Sequence, residues 1–175
     1  MASIFRELHA ASDTRLSGLF SHLPIADWAP LPLRLITGYG FMEHGFAKLA
    51  RGPGNFVDIL TAIGVPAPHL MAWTTIAIEI LGGVAALTGA FLPLASLPMA
   101  AVLLVAMFTV HLPYGFSSIK LLAVTSAGAQ FGSPGFETDL LYLACLAALV
   151  LRGAGPLSVD GLIIGALRRG RDAAG

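Results

Sequence analysis

Residues 80–119 read ILGGVAALTGAFLPLASLPMAAVLLVAMFTVHLPYGFSSI, a stretch of forty residues without Asp, Glu, Lys or Arg. A lone acid, Glu79, precedes this stretch, and a lone base, Lys120, follows it. Because about 20 apolar residues cross the hydrocarbon core of a bilayer, the stretch is long enough for parts of two spans. The sequence Gly-Ala-Phe-Leu-Pro at residues 89–93 predicts a tight turn between them. The chain is therefore predicted to be an integral membrane protein.

The composition of the chain agrees with a single membrane domain. Hydrophobic residues make up 56% of the 175 residues and charged residues 11%, whereas soluble domains carry about 25% charged residues. The formal net charge of zero gives no indication of a nucleic-acid partner. The only cysteine is Cys145, so the chain has no disulfide framework, no CxxC redox pair and no cysteine metal cage. No metal site is predicted.

Four spans are predicted, which gives an all-α transmembrane bundle. Their approximate bounds are residues 31–50, 69–92, 93–112 and 138–151. The fourth span is short, so it is expected to be less tilted or to use flanking residues. The connection after the first span contains a short apolar helical segment at residues 56–63. The transmembrane domain as a whole is placed at residues 31–152.

The segments outside the spans are predicted to lie at the membrane surface. In residues 1–30, apolar side chains recur at roughly helical spacing with charges between them, which favours an N-terminal amphipathic, interfacial helix over a poorly ordered tail. Residues 153–175 form an Arg-rich tail whose apolar part is expected on the inner leaflet. Residues 120–129 are apolar but too short to span as a helix, so they are predicted to be a re-entrant or interfacial segment. A fifth span at that position is the alternative.

The distribution of Lys and Arg predicts that both termini are cytoplasmic. The tail carries Arg152, Arg168, Arg169 and Arg171, and three further arginines lie before or at the start of the first span. An even number of spans puts both ends on one side, and the excess of positive charge marks the cytoplasmic side. Lys48, Arg51 and Lys120 on the other side weaken this assignment without reversing it.

Ionisable residues converge near the outer ends of the predicted helices. His44 and His111 lie near the outer ends of the first and third spans, and Glu137 and Asp139 begin the fourth. Glu79 lies about 15 Å into the second span by helical rise. Burying an ionisable group in a bilayer costs roughly 2.5–3.5 kcal/mol, so Glu79 is expected to face the bundle interior and to be paired. The sequence therefore predicts one polar cavity that opens toward the outer leaflet.

Several motifs, taken in order, resemble the DoxX family. Residues 34–49 read RLITGYGFMEHGFAKL and resemble its first-helix pattern G-x-x-F-x-x-H-G-x-x-K-L. The matching residues are Gly38, Phe41, His44, Gly45, Lys48 and Leu49. Further matches are Phe56, Gly64, Pro66 and Pro68 in the following loop, Glu79, Gly82, Gly83 and Gly89, then His111, Glu137 and the closing Gly153, Gly155, Ser158 and Asp160. The resemblance covers about residues 31–160.

The resemblance implies a small four-helix protein of the bacterial inner membrane that is associated with membrane oxidoreductases. Members of this family include subunits of thiosulfate:quinone oxidoreductase and a protein in a complex with redox partners in oxidative-stress defence. A further branch, in methylamine utilisation, depends on cysteine redox chemistry. The single Cys145 departs from that branch and argues against a thiol relay. The implied partners are the lipid bilayer and a soluble or membrane oxidoreductase subunit.

The first functional hypothesis is a quinone-linked redox subunit. A quinone head group needs hydrogen-bond partners for two carbonyl oxygens and groups that exchange protons, and a histidine near an acid in an apolar pocket supplies both. The predicted catalytic residues are His44 and His111, as carbonyl partners and proton exchangers, and Glu79, as a buried proton relay. Candidates for substrate binding are Phe41, Lys48 and Glu137. Lys48 is expected at the rim of the cavity, where it would orient an anionic group.

Other hypotheses remain open from the sequence. Glu79 could pair with Lys48 or Arg34 and merely hold helices together, and His111 could simply end a helix. The chain could be a non-catalytic anchor or assembly partner for a soluble oxidoreductase, since it has no nucleotide or haem attachment motif. Haem binding by His44 and His111 is a less favoured alternative. A homo-oligomer formed through a face such as Gly82–Gly83 is compatible with the sequence.

Overall fold

The computed structural model describes residues 27–172. Most of the predicted N-terminal amphipathic segment, residues 1–30, lies outside the described residues. The helices are α1 (Pro30–Ala50), α2 (Pro53–Ala62), α3 (Pro68–Thr88), α4 (Leu92–Ala106), α5 (Glu137–Arg152) and α6 (Val159–Asp172). A π-helical turn, Met107–His111, and a 3-10 turn, Leu112–Tyr114, continue α4. Two strands, β1 (Leu121–Thr125) and β2 (Gly128–Phe131), lie between α4 and α5.

Within this part of the chain, two helical segments are long and apolar enough to cross a membrane. They are Pro68–Thr88, which is α3, and Leu92–Tyr114, which is α4 with its two continuing turns. The other two predicted spans correspond to α1, which contains three charged residues, and to α5, which has 16 residues. Crossing of the membrane by all four helices stays a prediction.

Proline and glycine set the helix bounds. Pro30, Pro53 and Pro68 each occupy the first position of a helix, where the missing N–H costs nothing because that group has no partner within the helix. Helix α3 ends at Thr88, four residues before the predicted bound of the second span. The reason is Gly89, whose φ of 64° places it in the left-handed conformation that terminates helices.

Helices α1, α3, α4 and α5 pack in a closed ring, and the closest pair is α1 with α3. Glycine makes that pair close, because a Cβ on Gly38 would lie 2.7 Å from the carbonyl oxygen of Gly83. A Cβ on Gly45 would likewise lie 2.6 Å from Ile80 Cγ1. Small residues at helix interfaces permit such backbone contact in membrane proteins. The ring encloses a core that contains Phe41, Ala86, Leu92, Met99, Leu103, Leu146, Leu149 and Ala154.

One end of the ring, the Arg34 end, is where α1 and α4 begin and α3 and α5 end. Arg34 is 2% exposed, and within residues 27–172 the acceptors of its guanidinium are main-chain carbonyls. These are the carbonyls of Ala86, Leu87, Ala154, Pro156 and Leu157, at 2.6–3.2 Å. Helix ends leave carbonyls without partners, and Arg34 satisfies two at the end of α3. Its other three acceptors lie in the segment that follows α5, so Arg34 joins α1 to the end of α3 and to the connection between α5 and α6.

The closing motif of the chain completes the Arg34 end. The carboxylate of Asp160 accepts hydrogen bonds from the main-chain N–H groups of Phe91 and Leu92, at 2.8 and 3.3 Å. The Asp160 N–H in turn donates to the Gly89 carbonyl at 3.0 Å. The Ser158 hydroxyl donates to the Gly155 carbonyl at 2.6 Å and accepts from the N–H of Gly161. These contacts hold the start of α6 against the turn between α3 and α4.

The prediction of an all-α protein is wrong between α4 and α5, because residues 121–131 form a β-hairpin. Strands β1 and β2 pair antiparallel, with Thr125 opposite Gly128 and a bulge between Leu121 and Ala123. The Thr125 hydroxyl accepts from the N–H of Ala127, and Gly128 has a φ of 115°, so the turn is locally stabilised. The short hairpin also excludes a fifth helical span. Its position relative to the membrane surface stays a prediction.

Candidate functional site

The opposite end of the ring, the His111 end, contains two ion pairs between neighbouring helices. The first joins Lys48 on α1 to Glu79 on α3, with Nζ 2.6 and 2.7 Å from the two carboxylate oxygens. Glu79 is 5% exposed and lies about 16 Å from the start of α3 by helical rise. Glu79 is thus buried and paired. Its partner is Lys48, whereas Arg34 lies at the other end.

Glycine and a short helix position the Lys48–Glu79 pair. Because Gly45 has no side chain, α1 approaches Glu79 closely, and a Cβ there would lie 3.2 Å from Glu79 Cβ. The Lys48 ammonium also lies 5.0 Å from the centre of the Phe56 ring on α2, a cation–π contact. Lys48 was expected at the rim of a cavity. Instead its side chain is 22% exposed and bends to the buried acid.

The second ion pair joins His111 to Asp139 on α5, with Nδ1 2.5 Å from a carboxylate oxygen. His111 is the last residue of the π-helical turn that follows α4. Such turns are rare and frequently occur at functional sites, because they rotate the side chains that follow relative to the helix. Asp139 is buried at 4% exposure. A carboxylate on Nδ1 fixes the imidazole orientation and leaves Nε2 as the atom that can face a ligand.

The sequence prediction named Glu137 in the site, whereas the residue that reaches His111 is Asp139. Glu137 instead accepts a hydrogen bond from the Ser118 N–H at 3.0 Å and so joins the start of α5 to the segment before the hairpin. The helical spacing of the buried residues in α5 distinguishes Asp139 from Glu137. Asp139 lies on the same stripe as Leu146 and Leu149, the buried residues of α5, and Glu137 does not.

His44 is close enough to both ion pairs to interact electrostatically with each of them. Its ring interacts electrostatically with four charged or titratable neighbours, namely Lys48, Glu79, His111 and Asp139. Among the described residues, no hydrogen bond or ion pair engages the His44 ring. The side chain is exposed on the protein surface, and its ring lies 6.5 Å from that of Tyr142 at a steep angle. The structure therefore brings the three predicted catalytic residues to one end of the ring.

Tyr142, which the sequence prediction did not include, is the contact between α1 and α5 at this site. Its ring packs edge-to-face on Phe41, with centroids 5.6 Å apart, and its hydroxyl lies against the backbone at Gly40. Phe41 was predicted to bind substrate. It is 3% exposed and belongs to the hydrophobic core, so its ring supports Tyr142 from inside. The aromatic pair thus fixes where His44 lies relative to α5.

The five groups of the site are His44, Lys48, Glu79, His111 and Asp139. In residues 27–172, no cluster of three or more His, Cys, Asp or Glu side chains could hold a metal ion. A shallow cavity of about 340 Å³ is present at the other end of the ring, lined by Asp27, Pro30, Arg152, Gly155 and Pro156. It is not near the five groups. The predicted shared cavity at the His111 end stays a prediction.

Comparison with known proteins agrees with the motifs of the first helices. The family model named DoxX matches residues 29–112, which include α1 to α4 and four of the five site residues. Neither curated proteins nor solved structures give a match. The match contains the Lys48–Glu79 pair and ends one residue after His111. With the apolar helices α3 and α4, this match indicates a membrane protein, and over residues 29–112, just under half of the chain, it supports assignment to the DoxX family.

Proposed function

We propose that the chain is the membrane subunit of a quinone-linked oxidoreductase system, and that the His111 end binds a quinone head group or a small substrate. The observation that carries this proposal is the exposed His44 ring, which has no hydrogen bond within the described residues although it lies beside two buried carboxylates. An imidazole of this kind is available to a ligand. The neighbouring acids are available for proton exchange.

The donor set at this end fits a quinone. When bound, a quinone supplies two-electron redox chemistry that is coupled to the uptake or release of two protons. His44 would donate a hydrogen bond to a carbonyl oxygen from the exposed side. His111, held at Nδ1 by Asp139, would exchange a proton at Nε2. Asp139 is then a positioning residue, because it acts through the imidazole that it orients.

In the same proposal, the Lys48–Glu79 pair is a buried ion pair whose carboxylate can accept a proton. Both oxygens of Glu79 are within 2.7 Å of the Lys48 ammonium, so the pair is neutral overall and can remain inside the helix ring. Movement of a proton to Glu79 would release Lys48 toward an anionic ligand. Glu79 would thus serve as the relay and Lys48 as the cation that responds to it.

Quinone binding by the purified, lipid-reconstituted protein tests the proposal. A short-chain quinone analogue is titrated, and its affinity is compared between wild type, His44→Asn and the matched control His69→Asn, an exposed histidine at the start of α3. Loss of one hydrogen bond to a bound group costs about 1 kcal/mol, so His44→Asn should weaken binding about fivefold. Equal affinities for all three proteins would contradict a role of His44 in binding.

A non-catalytic anchor is the second candidate function. The observation that favours it is the geometry of Lys48 and Glu79, which satisfy each other across α1 and α3 as a purely structural contact requires. An anchor would bind no quinone and would still recruit a soluble oxidoreductase. Haem binding by the two histidines is distinguished from both by a visible absorption spectrum of the purified protein, since haem alone gives strong visible bands.

We also infer location in the bacterial inner membrane with both termini cytoplasmic. Arg152, Arg169 and Arg171 are on elements that leave the ring at the Arg34 end, the side on which α1 begins. An excess of arginine marks the cytoplasmic side. A reporter fused after Gly175 should therefore be active only in its cytoplasmic form. Activity restricted to a periplasmic reporter would contradict this orientation.

A further inference from the structure

Helix α6 presents an apolar arc that no described part of the bundle covers. At about 100° per residue, Val159, Leu162, Ile163, Ala166 and Leu167 fall within an arc of roughly 140°. Leu162 and Leu167 are 72% and 64% exposed. The helix is not among the elements that pack extensively against one another. An exposed arc of this size requires a partner.

Arginines border this arc on both sides. Arg169 and Arg171 fall roughly 90° and 110° from the middle of the arc, in opposite directions around the helix. Both side chains are exposed. This arrangement is typical of helices that lie in a membrane surface, where arginine stems run along apolar groups and the guanidinium groups reach phosphate. The charge of the border is therefore complementary to an anionic headgroup.

The start of α6 is held at the level of the membrane boundary. Asp160 binds the main-chain N–H groups of Phe91 and Leu92 and the carbonyl of Gly89. These residues form the turn between the two segments that are long and apolar enough to span a membrane. In the spanning arrangement that the sequence predicts, this turn lies where the chain leaves and re-enters the bilayer. With 14 residues, α6 is about 21 Å long, which is too short to span. It can therefore reach lipid only by lying along the surface.

We propose that α6 is an anionic-lipid-binding helix, in which the apolar arc enters the interface and Arg169 and Arg171 bind phospholipid headgroups of negative charge. The clamp formed by Ser158 and Asp160 fixes where the helix leaves the bundle, so that this surface is presented without a long linker. The proposal concerns the Arg34 end and does not depend on quinone binding at the other end.

Spin labelling of the full-length protein tests this proposal. In a Cys145→Ser background, single labels are placed at Leu162→Cys, within the arc, and at Ile164→Cys, on the far side of the helix. The protein is reconstituted into vesicles of phosphatidylcholine, with or without 30% phosphatidylglycerol. In the anionic vesicles, the label at position 162 should be accessible to oxygen and shielded from a water-soluble nickel reagent. The label at position 164 should show the reverse.

The charge requirement is tested by an Arg169→Gln/Arg171→Gln double variant. Each arginine near an anionic surface favours binding about fivefold, so the ratio of bound to free α6 should fall roughly 30-fold. An Arg169→Lys/Arg171→Lys variant should restore it, and Arg51→Gln, at the opposite end of the bundle, should leave it unchanged. Equal water access of both labels in anionic vesicles would overturn the proposal. Burial of position 162 that is independent of lipid charge and of both arginines would overturn it also.

Discussion

The two ends of this bundle bury cations in opposite ways. At the Arg34 end, one guanidinium is surrounded by five main-chain carbonyls, none of which can take up a proton in ordinary conditions. At the His111 end, Lys48 and His111 each face a carboxylate. Carbonyl partners give a contact that is independent of pH. Carboxylate and imidazole partners give contacts that a proton can break.

This difference suggests a structural role for the Arg34 end and a chemical role for the His111 end of the same bundle. An arginine remains charged under all conditions that a protein meets, so the contact between Arg34 and its carbonyls has no second protonation state. The His111 end has at least two states for each pair, because histidine and a buried acid can exchange protons with a ligand. We therefore expect substitutions at the Arg34 end to change stability most, and substitutions at the His111 end to change activity most.

The largest expected effect on stability is that of Arg34→Ala. The substitution removes five hydrogen bonds to main-chain carbonyls, two of them buried and three partly buried, so the free energy of unfolding should fall by about 3–5 kcal/mol. Chemical unfolding in detergent micelles measures the change. Arg34→Lys should recover only part of it, because an ammonium has three donors. Arg51→Ala, at an exposed position, is the control. A loss below about 1 kcal/mol for Arg34→Ala would remove the contrast between the two ends.

A smaller effect is expected where α1 and α3 touch through glycine. Gly38→Ala would place a Cβ 2.7 Å from the Gly83 carbonyl oxygen. Because this contact is too close, the helices would have to move apart, and the free energy of unfolding should fall by about 1–3 kcal/mol. Gly54→Ala is a matched control, because a Cβ there meets no atom within 4 Å. Thermal unfolding of both variants measures the difference. Equal midpoints would show that α1 and α3 tolerate a wider separation.

The Lys48–Glu79 pair should contribute about 1–2 kcal/mol of coupling free energy, less than a fully buried pair because Lys48 is partly exposed. A double-mutant cycle with Lys48→Met and Glu79→Gln measures it. Glu79→Gln alone should keep the fold, since the amide retains size and hydrogen bonding, and should weaken any turnover that needs a proton relay. Full activity of this variant across pH would refute the relay and leave a structural pair.

The smallest expected change in stability is that of Asp139→Asn. The amide can still accept a hydrogen bond from His111 Nδ1, so unfolding should change by less than about 1 kcal/mol. Turnover should nevertheless fall, since the amide stabilises a charged imidazole less well. Comparing the unfolding free energy with the turnover rate of the same preparation tests this separation. A loss of stability with unchanged turnover would place Asp139 among the structural residues.

The sequence allowed prediction of the helices and the polar end but not of every partner. Proline at the first helical position and the uncharged stretch 80–119 define local structure, so the positions of α1, α3 and α4 follow from the chain itself. Which acid reaches His111 depends on the rotation of α5. Reading the buried stripe of α5 would have selected Asp139 in place of Glu137.

Two features of the fold differ from the sequence prediction or lie outside it, for different reasons. The role of Arg34 requires carbonyls that are 52–53 and 120–123 residues away in the sequence, and no local pattern indicates such contacts. The hairpin at residues 121–131 departs from the all-α fold class that the apolar composition of this segment suggests. Its β-branched residues and the turn before Gly128 were the signal that was overlooked.

Photolabelling with an azido-quinone tests whether the His111 end is the site of chemistry. The reconstituted protein is irradiated with the probe, and labelled peptides are identified with and without excess unlabelled quinone. The account predicts saturable labelling in the peptides that contain His44 and Tyr142, with labelling reduced in His44→Asn and unchanged in His69→Asn. Labelling that is not displaced by quinone, or that falls at the Arg34 end, would contradict it.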